Sequence, residues 1–250
     1  MSIKQKVFSI LALLLMMAVT GATAQTTYKT TLKDGTEDAA RWSAAPNPAR
    51  GGQSVTIKYN GTKKVKRVTT TMAALRPLAE ATTSDLGKIA GADGYIYGTK
   101  AVAEAAGTQA VAMIAYVGSE TDNATYKHGL AIALSDEGTM NWSDAKSACE
   151  AKNTSTPVAN ASWLLPSQNQ WKTMFSANGG NEESFAGLNT ALAAAGGDSS
   201  KLNSDILYTD FYWSSTENGS SNAWYYVFRF GYWNYSSKGN HYYVRACLVF

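Results

Sequence analysis

Residues 211–243 hold seven tyrosines, three tryptophans and three phenylalanines, 13 of the chain's 28 aromatic side chains. A strand with one buried face uses every second side chain for its core, so this density exceeds what core packing alone requires. The rest of the stretch is mostly Ser, Asn and Gly, with only Glu217, Arg229 and Lys238 charged. Within it, residues 223–230 alternate as a strand, with Trp224, Tyr226, Phe228 and Phe230 on one face and Tyr225, Val227 and Arg229 on the other. Residues 231–243 are too polar and too broken by glycine for a buried element, yet too aromatic for an ordinary solvated loop. Tyr and Trp give large contact area at low entropic cost, and Ser, Asn and Gly give adaptable hydrogen bonds, which is the composition of antibody binding loops. Two readings follow: a binding surface, or an aromatic hairpin that packs on its own neighbour.

The N-terminus sets the compartment. Lys4 and Lys6 precede an apolar run over 7–19, and Ala22-Thr23-Ala24 has the small-x-small form of a signal-peptidase site, so residues 1–24 read as a signal peptide. An exported protein, extracellular, cell-surface or periplasmic, is expected. The apolar run is short for a membrane span and no second run of about 18 residues follows, so no transmembrane segment is expected in the mature chain. Removing Lys4 and Lys6 leaves 20 basic residues against 19 acidic ones, a balance that argues against nucleic acid as a partner. Lys58, Lys63, Lys64, Lys66 and Arg67 are a local exception, either a solvated hairpin surface or a patch for acidic glycans.

Patterning divides the remainder. Residues 25–72 read as a small β module. A strand is expected at 28–32, Trp42 is its core residue, and the alternating run 53–59 leads through Asn60-Gly61 into a second run at 63–68, a strong hairpin signal. Residues 73–84, with Pro77 and several Ala and Thr, read as a linker. From residue 85 the pattern is mixed. Apolar runs at 110–117 and 129–134 have the length of buried strands, and a short Ala-rich helix is expected at 100–106. Asn141 caps a helix that places Trp142, Ala145, Ala148 and Cys149 on one face, and Ser167 with Gln170 forms a capping box ahead of Trp171, Met174 and Phe175. Phe185, Leu188 and Leu192 lead to a stop at Gly196-Gly197, and 243–250 reads as one central strand.

Cys149 and Cys247 are the only cysteines. Exported chains mature where thiols oxidise, so a bridge is the leading expectation, with two independent buried thiols as the alternative. Closing a loop of about 100 residues is worth roughly 4–5 kcal/mol in the chain-entropy model.

Several segments together resemble a known family. Trp142-Ser-Asp-Ala-Lys-Ser-Ala-Cys149 is similar to the first helix of C-type lectin-like domains, in which a cysteine bridges to one on the last strand, as Cys149 and Cys247 would. Trp163-Leu-Leu-Pro-Ser167 with Trp171, Tyr212-Trp-Ser-Ser-Thr-Glu217, Ala223-Trp224 and Val244-Arg-Ala-Cys-Leu-Val-Phe250 resemble the bacterial branch, above all the variable proteins diversified by retroelements. The resemblance covers residues 85–250. It implies an α+β fold, a C-type lectin-like domain preceded by the small all-β module, in which a rigid scaffold carries rewritten ligand-facing positions. By position, Trp213, Ser214, Ser215, Thr216, Glu217, Trp224, Phe228, Gly231 and Arg245 are implied as scaffold. Tyr225, Arg229, Tyr232, Asn234, Tyr235, Ser236, Asn240 and His241 are implied as ligand-facing, and Trp233 and Tyr242 fall in the same stretch. The expected partner is a protein or glycan ligand on a cell or phage surface. The runner-up is a structural cell-surface or fimbria-like subunit.

The calcium-dependent sugar motifs of animal lectins, Glu-Pro-Asn and Trp-Asn-Asp, are absent from the sequence. His128 and His241 are the only histidines, with no His-Glu-x-x-His, paired Cys-x-x-Cys or Gly-x-Ser-x-Gly framing a metal or nucleophile. No enzyme activity, metal or cofactor is therefore expected.

Overall fold

A computed structural model describes strand backbone at Thr27–Lys33, Trp42–Ala45, Ala49–Arg50, Thr56–Tyr59 and Thr69–Ala74, and residues 75–181, 184–199 and 211–250. The expected signal peptide, the Asn60-Gly61 turn and Lys63, Lys64, Lys66 and Arg67 lie outside the described residues. Among the described residues no helix is long and apolar enough to cross a membrane. The chain divides into two compact units, Met1–Leu75 with Ala101–Thr108, and Arg76–Lys100 with Gln109–Phe250.

In the first unit β1 (Thr27–Lys33) lies between β3 (Ala49–Arg50) and β5 (Thr69–Ala74), antiparallel to both. A separate antiparallel pair joins β2 (Trp42–Ala45) to β4 (Thr56–Tyr59), with Trp42 opposite Tyr59. The alternating run near Thr56 forms a strand that pairs with the Trp42 segment, and the second run of the expected hairpin, 63–68, lies outside the described residues. Helix α1 (Lys100–Ala105) occupies the Ala-rich stretch. The stretch read as a linker is structured at both ends: β5 runs to Ala74, and 3-10 turns follow at Leu78–Glu80 and Thr83–Asp85 with Leu78 and Asp85 buried.

The second unit is built on two sheets. The six-stranded sheet has β6 (Ile89–Gly91), β7 (Ile96–Tyr97), β8 (Ala110–Val117), β9 (Gly129–Ala133), β11 (Ser162–Leu164) and β16 (Cys247–Val249), in the order β11-β16-β9-β8-β6-β7. The five-stranded sheet has β10 (Gly138–Met140), β12 (Phe211–Asn218), β13 (Asn222–Val227), β14 (Tyr232–Ser237) and β15 (Tyr242–Val244), in the order β10-β15-β12-β13-β14. Helices α2 (Trp142–Ser155), α3 (Gln168–Ala177) and α4 (Ala186–Ala194) complete it.

This architecture corrects the expected α+β, C-type lectin-like fold. The chain is mostly β-sheet, with eleven strands in the two sheets of the second unit against helices of 14, 10 and 9 residues. The helix starts were readable because caps are local: the Asn141 side chain accepts from the Asp144 amide, and Ser167 and Gln170 form a reciprocal capping box. Strands such as β6, β7, β10, β11 and β16 have two or three residues, too few for alternation to register.

One buried cluster joins both sheets to α2. Ala112, Ile114, Ala131, Ala133, Leu248 and Phe250 of the six-stranded sheet and its margins meet Trp213, Ala223, Tyr225, Val227 and Val244 of the five-stranded sheet, with Trp142, Ala145 and Cys149 of α2. On its other face the five-stranded sheet turns Tyr212 and Tyr226 toward α3. Phe175 lies 4.9 Å from Tyr226, and Trp171 meets Phe228 edge-on at 5.6 Å.

The expected single strand over 243–250 is instead two, β15 and β16, in different sheets. Arg245 is fully buried at the break, where the chain crosses from one sheet to the other.

The expected disulfide is also corrected: Cys149 and Cys247 are buried free thiols. Cys149 packs in the cluster that contains Ala246, Leu248 and Phe250, whereas Cys247 is out of phase with those residues and pairs across β16 with Leu164 and Ile132, which lie outside that cluster. Burial pushes both thiols far above their ordinary pKa, so neither supplies thiolate at neutral pH. The native protein should resist maleimide, and after denaturation without reductant mass spectrometry should find two adducts; a denatured chain with none would mean a bridge.

Candidate ligand-binding hairpin

Strands β13 and β14 form an antiparallel hairpin whose six residue pairs, from Asn222↔Ser237 to Val227↔Tyr232, run without a bulge. β14 is the edge strand of its sheet among the described residues. It has no charged residue and no proline, the usual guards of an edge. The turn closes when the Phe230 and Gly231 amides both donate to the Val227 carbonyl, with Gly231 at φ +71°.

This turn lifts Phe230 off the buried face to which simple alternation assigns it. Phe230 is 60% exposed, Tyr232 45% and Tyr235 52%, and these are the large exposed hydrophobic residues of the described structure. All three fall within six residues of one hairpin. Phe230 stacks on Tyr232 at 6.2 Å and 23°, and the Arg229 guanidinium lies 5.3 Å from the Phe230 ring. Tyr235 meets Trp224 edge-on at 5.5 Å. Because Tyr232 and Tyr235 have opposite parity along β14, the exposed rings flank the edge on both faces of the sheet.

The remaining expected site residues are not all on that surface. Tyr225 is buried, 4.6 Å from the Tyr242 ring and 5.2 Å from Phe211. Burial, aided by the Tyr242 and Tyr232 hydroxyls, pushes its own hydroxyl up to about 12. Tyr242 is half-buried against Trp213 at 4.5 Å, and Trp233 is half-buried against Tyr226 at 5.0 Å. Tyr225 and Tyr242 thus brace the hairpin from within. Asn234 is half-buried and its side chain accepts from the Tyr235 amide at 2.8 Å. Ser236 and Asn240 bond to each other at 2.6 Å, and Asn240 and His241 are exposed. Arg229, Tyr232, Tyr235, Asn240 and His241 are therefore the expected residues that are exposed to solvent. Simple alternation misses Phe230 because it runs three residues past the end of β13 at Val227, and Phe230-Gly231 is the available signal for the turn.

Two polar groups that catalysis could recruit are engaged elsewhere. His128 Nε2 lies 2.9 Å from the Ala81 carbonyl oxygen. Glu217 accepts from Lys238 Nζ at 2.8 Å, and that bond and charge hold its carboxyl below the usual range. Among the described residues no group of three or more His, Cys, Asp and Glu gathers in a metal-binding arrangement.

A family model for the Lcl C-terminal domain matches residues 117–247, a little over half of the chain, and spans this hairpin whole. The chain belongs to the Lcl C-terminal domain family. No curated protein matches it. Among solved structures it is similar to a fimbrial protein from Bacteroides ovatus ATCC 8483, at 14% identity and a TM-score of 0.47, covering 91% of this chain and 65% of the length of that one.

Within this Lcl C-terminal domain β12, the strand beside the hairpin, is tied to the crossing between the sheets through Asp136 and Arg245. Arg245 Nε donates to Asp136 Oδ1 at 2.6 Å and its Nη1 to the Ala133 carbonyl at 3.2 Å. The Tyr212 hydroxyl, kept protonated by burial and by the Asp136 charge, donates to Asp136 Oδ2 at 2.7 Å. Asp136→Ala should strand the buried guanidinium and cost about 3 kcal/mol, read from the urea midpoint, the low end of the range because Asp136 keeps slight exposure.

Proposed function

We propose that this protein is exported, acts at a cell surface, and binds a protein or glycan ligand through the β13–β14 hairpin. The observation that carries this reading is the gathering of Phe230, Tyr232 and Tyr235 along the edge strand and the turn that leads into it. Exposed aromatic area on this scale is unfavourable in water and is commonly kept where a partner covers it. Asn240 and His241 add polar groups on the loop that follows β14. The reading is of a binder rather than a catalyst, supported by the engagement of His128 with Ala81 and of Glu217 with Lys238.

Diversification by a retroelement belongs to this proposal as well. Its test is genomic: a near-copy of the coding sequence for the C-terminal stretch beside a reverse-transcriptase gene, differing mainly at adenines. Absence of such a copy removes diversification and leaves binding to be tested separately.

For binding, the mature chain is applied to an array of neutral and acidic glycans and extracellular-matrix proteins. The combined substitution Phe230→Ala, Tyr232→Ala, Tyr235→Ala should abolish capture while moving the melting temperature by only a few degrees, since each ring is about half exposed or more. Capture that survives the triple substitution would sink the assignment of this surface.

A further inference from the structure

Lys238 begins the loop that leads from β14 to β15, and each of its polar groups is engaged. Its amide donates to the Ser221 carbonyl at 2.9 Å, and its carbonyl accepts from the Trp142 amide at 3.0 Å. Its ammonium donates to Glu217 Oε2 at 2.8 Å, to the Ser220 carbonyl at 2.9 Å and to the Gly219 carbonyl at 3.5 Å. The same ammonium lies 4.6 Å from the centroid of the Trp142 ring. One side chain thus joins the β12–β13 turn, the start of α2 and the loop after β14.

The geometry points to Lys238 as the positioning residue of the binding hairpin, holding the Ser236, Asn240 and His241 end of the surface in one arrangement before a ligand arrives. This rests on the binding reading proposed above. Beyond Lys238 the loop has few restraints of its own: the Asn240 amide donates to the Ser237 carbonyl at 3.0 Å, the Gly239 amide to Ser237 Oγ at 3.3 Å, and the Asn240 side chain to Ser236 Oγ at 2.6 Å. All three bonds lie within the loop and its own strand, so none fixes the loop against the neighbouring turn. The contacts of Lys238 do. A loop ordered in advance loses less freedom on binding, which tightens the complex without a new contact.

Glu217 is the lesser part of the clamp. Its side chain is 55% exposed, and exposed ion pairs contribute little. Of the side-chain contacts, the two turn carbonyls and the Trp142 ring carry the restraint, because they are fixed by the backbone and by α2, and they add to the two backbone bonds of Lys238. Removing the ammonium should therefore matter far more than neutralising Glu217.

The test compares Lys238→Met, Lys238→Arg and Glu217→Gln in the full chain, using amide order parameters from NMR relaxation. In Lys238→Met, residues 219–221 and 239–241 should fall from rigid values near ~0.85 toward ~0.6, while β13 and the melting temperature stay unchanged. Lys238→Arg should recover much of the order, because a guanidinium can donate to the same oxygens, and Glu217→Gln should change little. On the array component that captures the wild type, Lys238→Met should weaken binding about tenfold and Glu217→Gln less than about threefold. Unchanged order in Lys238→Met overturns the positioning role, whatever the array shows. Disordered loops with undiminished capture overturn its bearing on binding. If nothing on the array captures the wild type, the binding reading fails, and the relaxation data still decide the clamp. Should Lys238→Met not fold, Lys238→Gln takes its place under the same criteria.

Discussion

Beneath the apolar cluster that joins the two sheets of the second unit, one buried ion pair fixes where the chain crosses between them, and much else depends on it. Arg245 lies where the chain passes from β15 to β16, and Asp136 where it passes from β9 to β10. Both are crossings between the six-stranded and the five-stranded sheet. Backbone bonds close the same junction, with the Ala133 amide on the Ala246 carbonyl and the Glu137 amide on the Val244 carbonyl. A fully buried guanidinium is tolerated only when its charge and donors are matched, and Asp136, the Ala133 carbonyl and the Tyr212 hydroxyl that steadies Asp136 do most of that. Nη2 of Arg245 is buried without a hydrogen-bond partner, so the match is incomplete. Pairing of this kind contributes less to net stability than to geometry, because wrong registers of the crossing would leave the charge bare.

From that junction the path to the surface is short. Tyr212, which holds Asp136, is a β12 residue opposite Tyr226 of β13, and Tyr226 is opposite Trp233 of β14. Three adjacent strands thus carry the position of the crossing outward to the edge. Tyr225 and Tyr242 support the hairpin from the opposite face, packed on Phe211 and Trp213. The edge rings therefore stand on rigid elements, the arrangement in which exposed aromatic residues hold a defined shape.

What was legible in the sequence was local. Asn141 and Ser167 announced their helices, residues 110–117 matched β8, and the alternation of Trp224, Tyr225, Tyr226 and Val227 matched the two faces of β13. The errors share one cause, which is that tertiary context ends an element where pattern alone would continue it. Alternation ran past Val227 because nothing in Phe228-Arg229-Phe230 opposes a strand; the turn is set by Gly231 and by two amides converging on one carbonyl. Val244, Ala246, Leu248 and Phe250 alternate faultlessly, as one continuous strand would, while the break at Arg245 depends on Asp136, over 100 residues earlier. The expected cysteine pairing also fails. Spacing and compartment favour a bridge, but both thiols are free, Cys149 in the buried cluster and Cys247 on β16 opposite Ile132 and Leu164. Among the expected site residues, exposure separates Tyr232 and Tyr235 from Tyr225 and Tyr242, and identical residue types give no means of telling them apart.

The position of β14 at the margin of its sheet bears on how such a protein can change over generations. An interior strand must satisfy a neighbour on each side, so a new side chain there calls for compensating replacements in two directions. Among the described residues β14 pairs with β13 alone. Replacements at its exposed positions meet one supporting strand and water, so the surface can be rewritten residue by residue while Arg245, Asp136 and Tyr212 keep the frame beneath it constant.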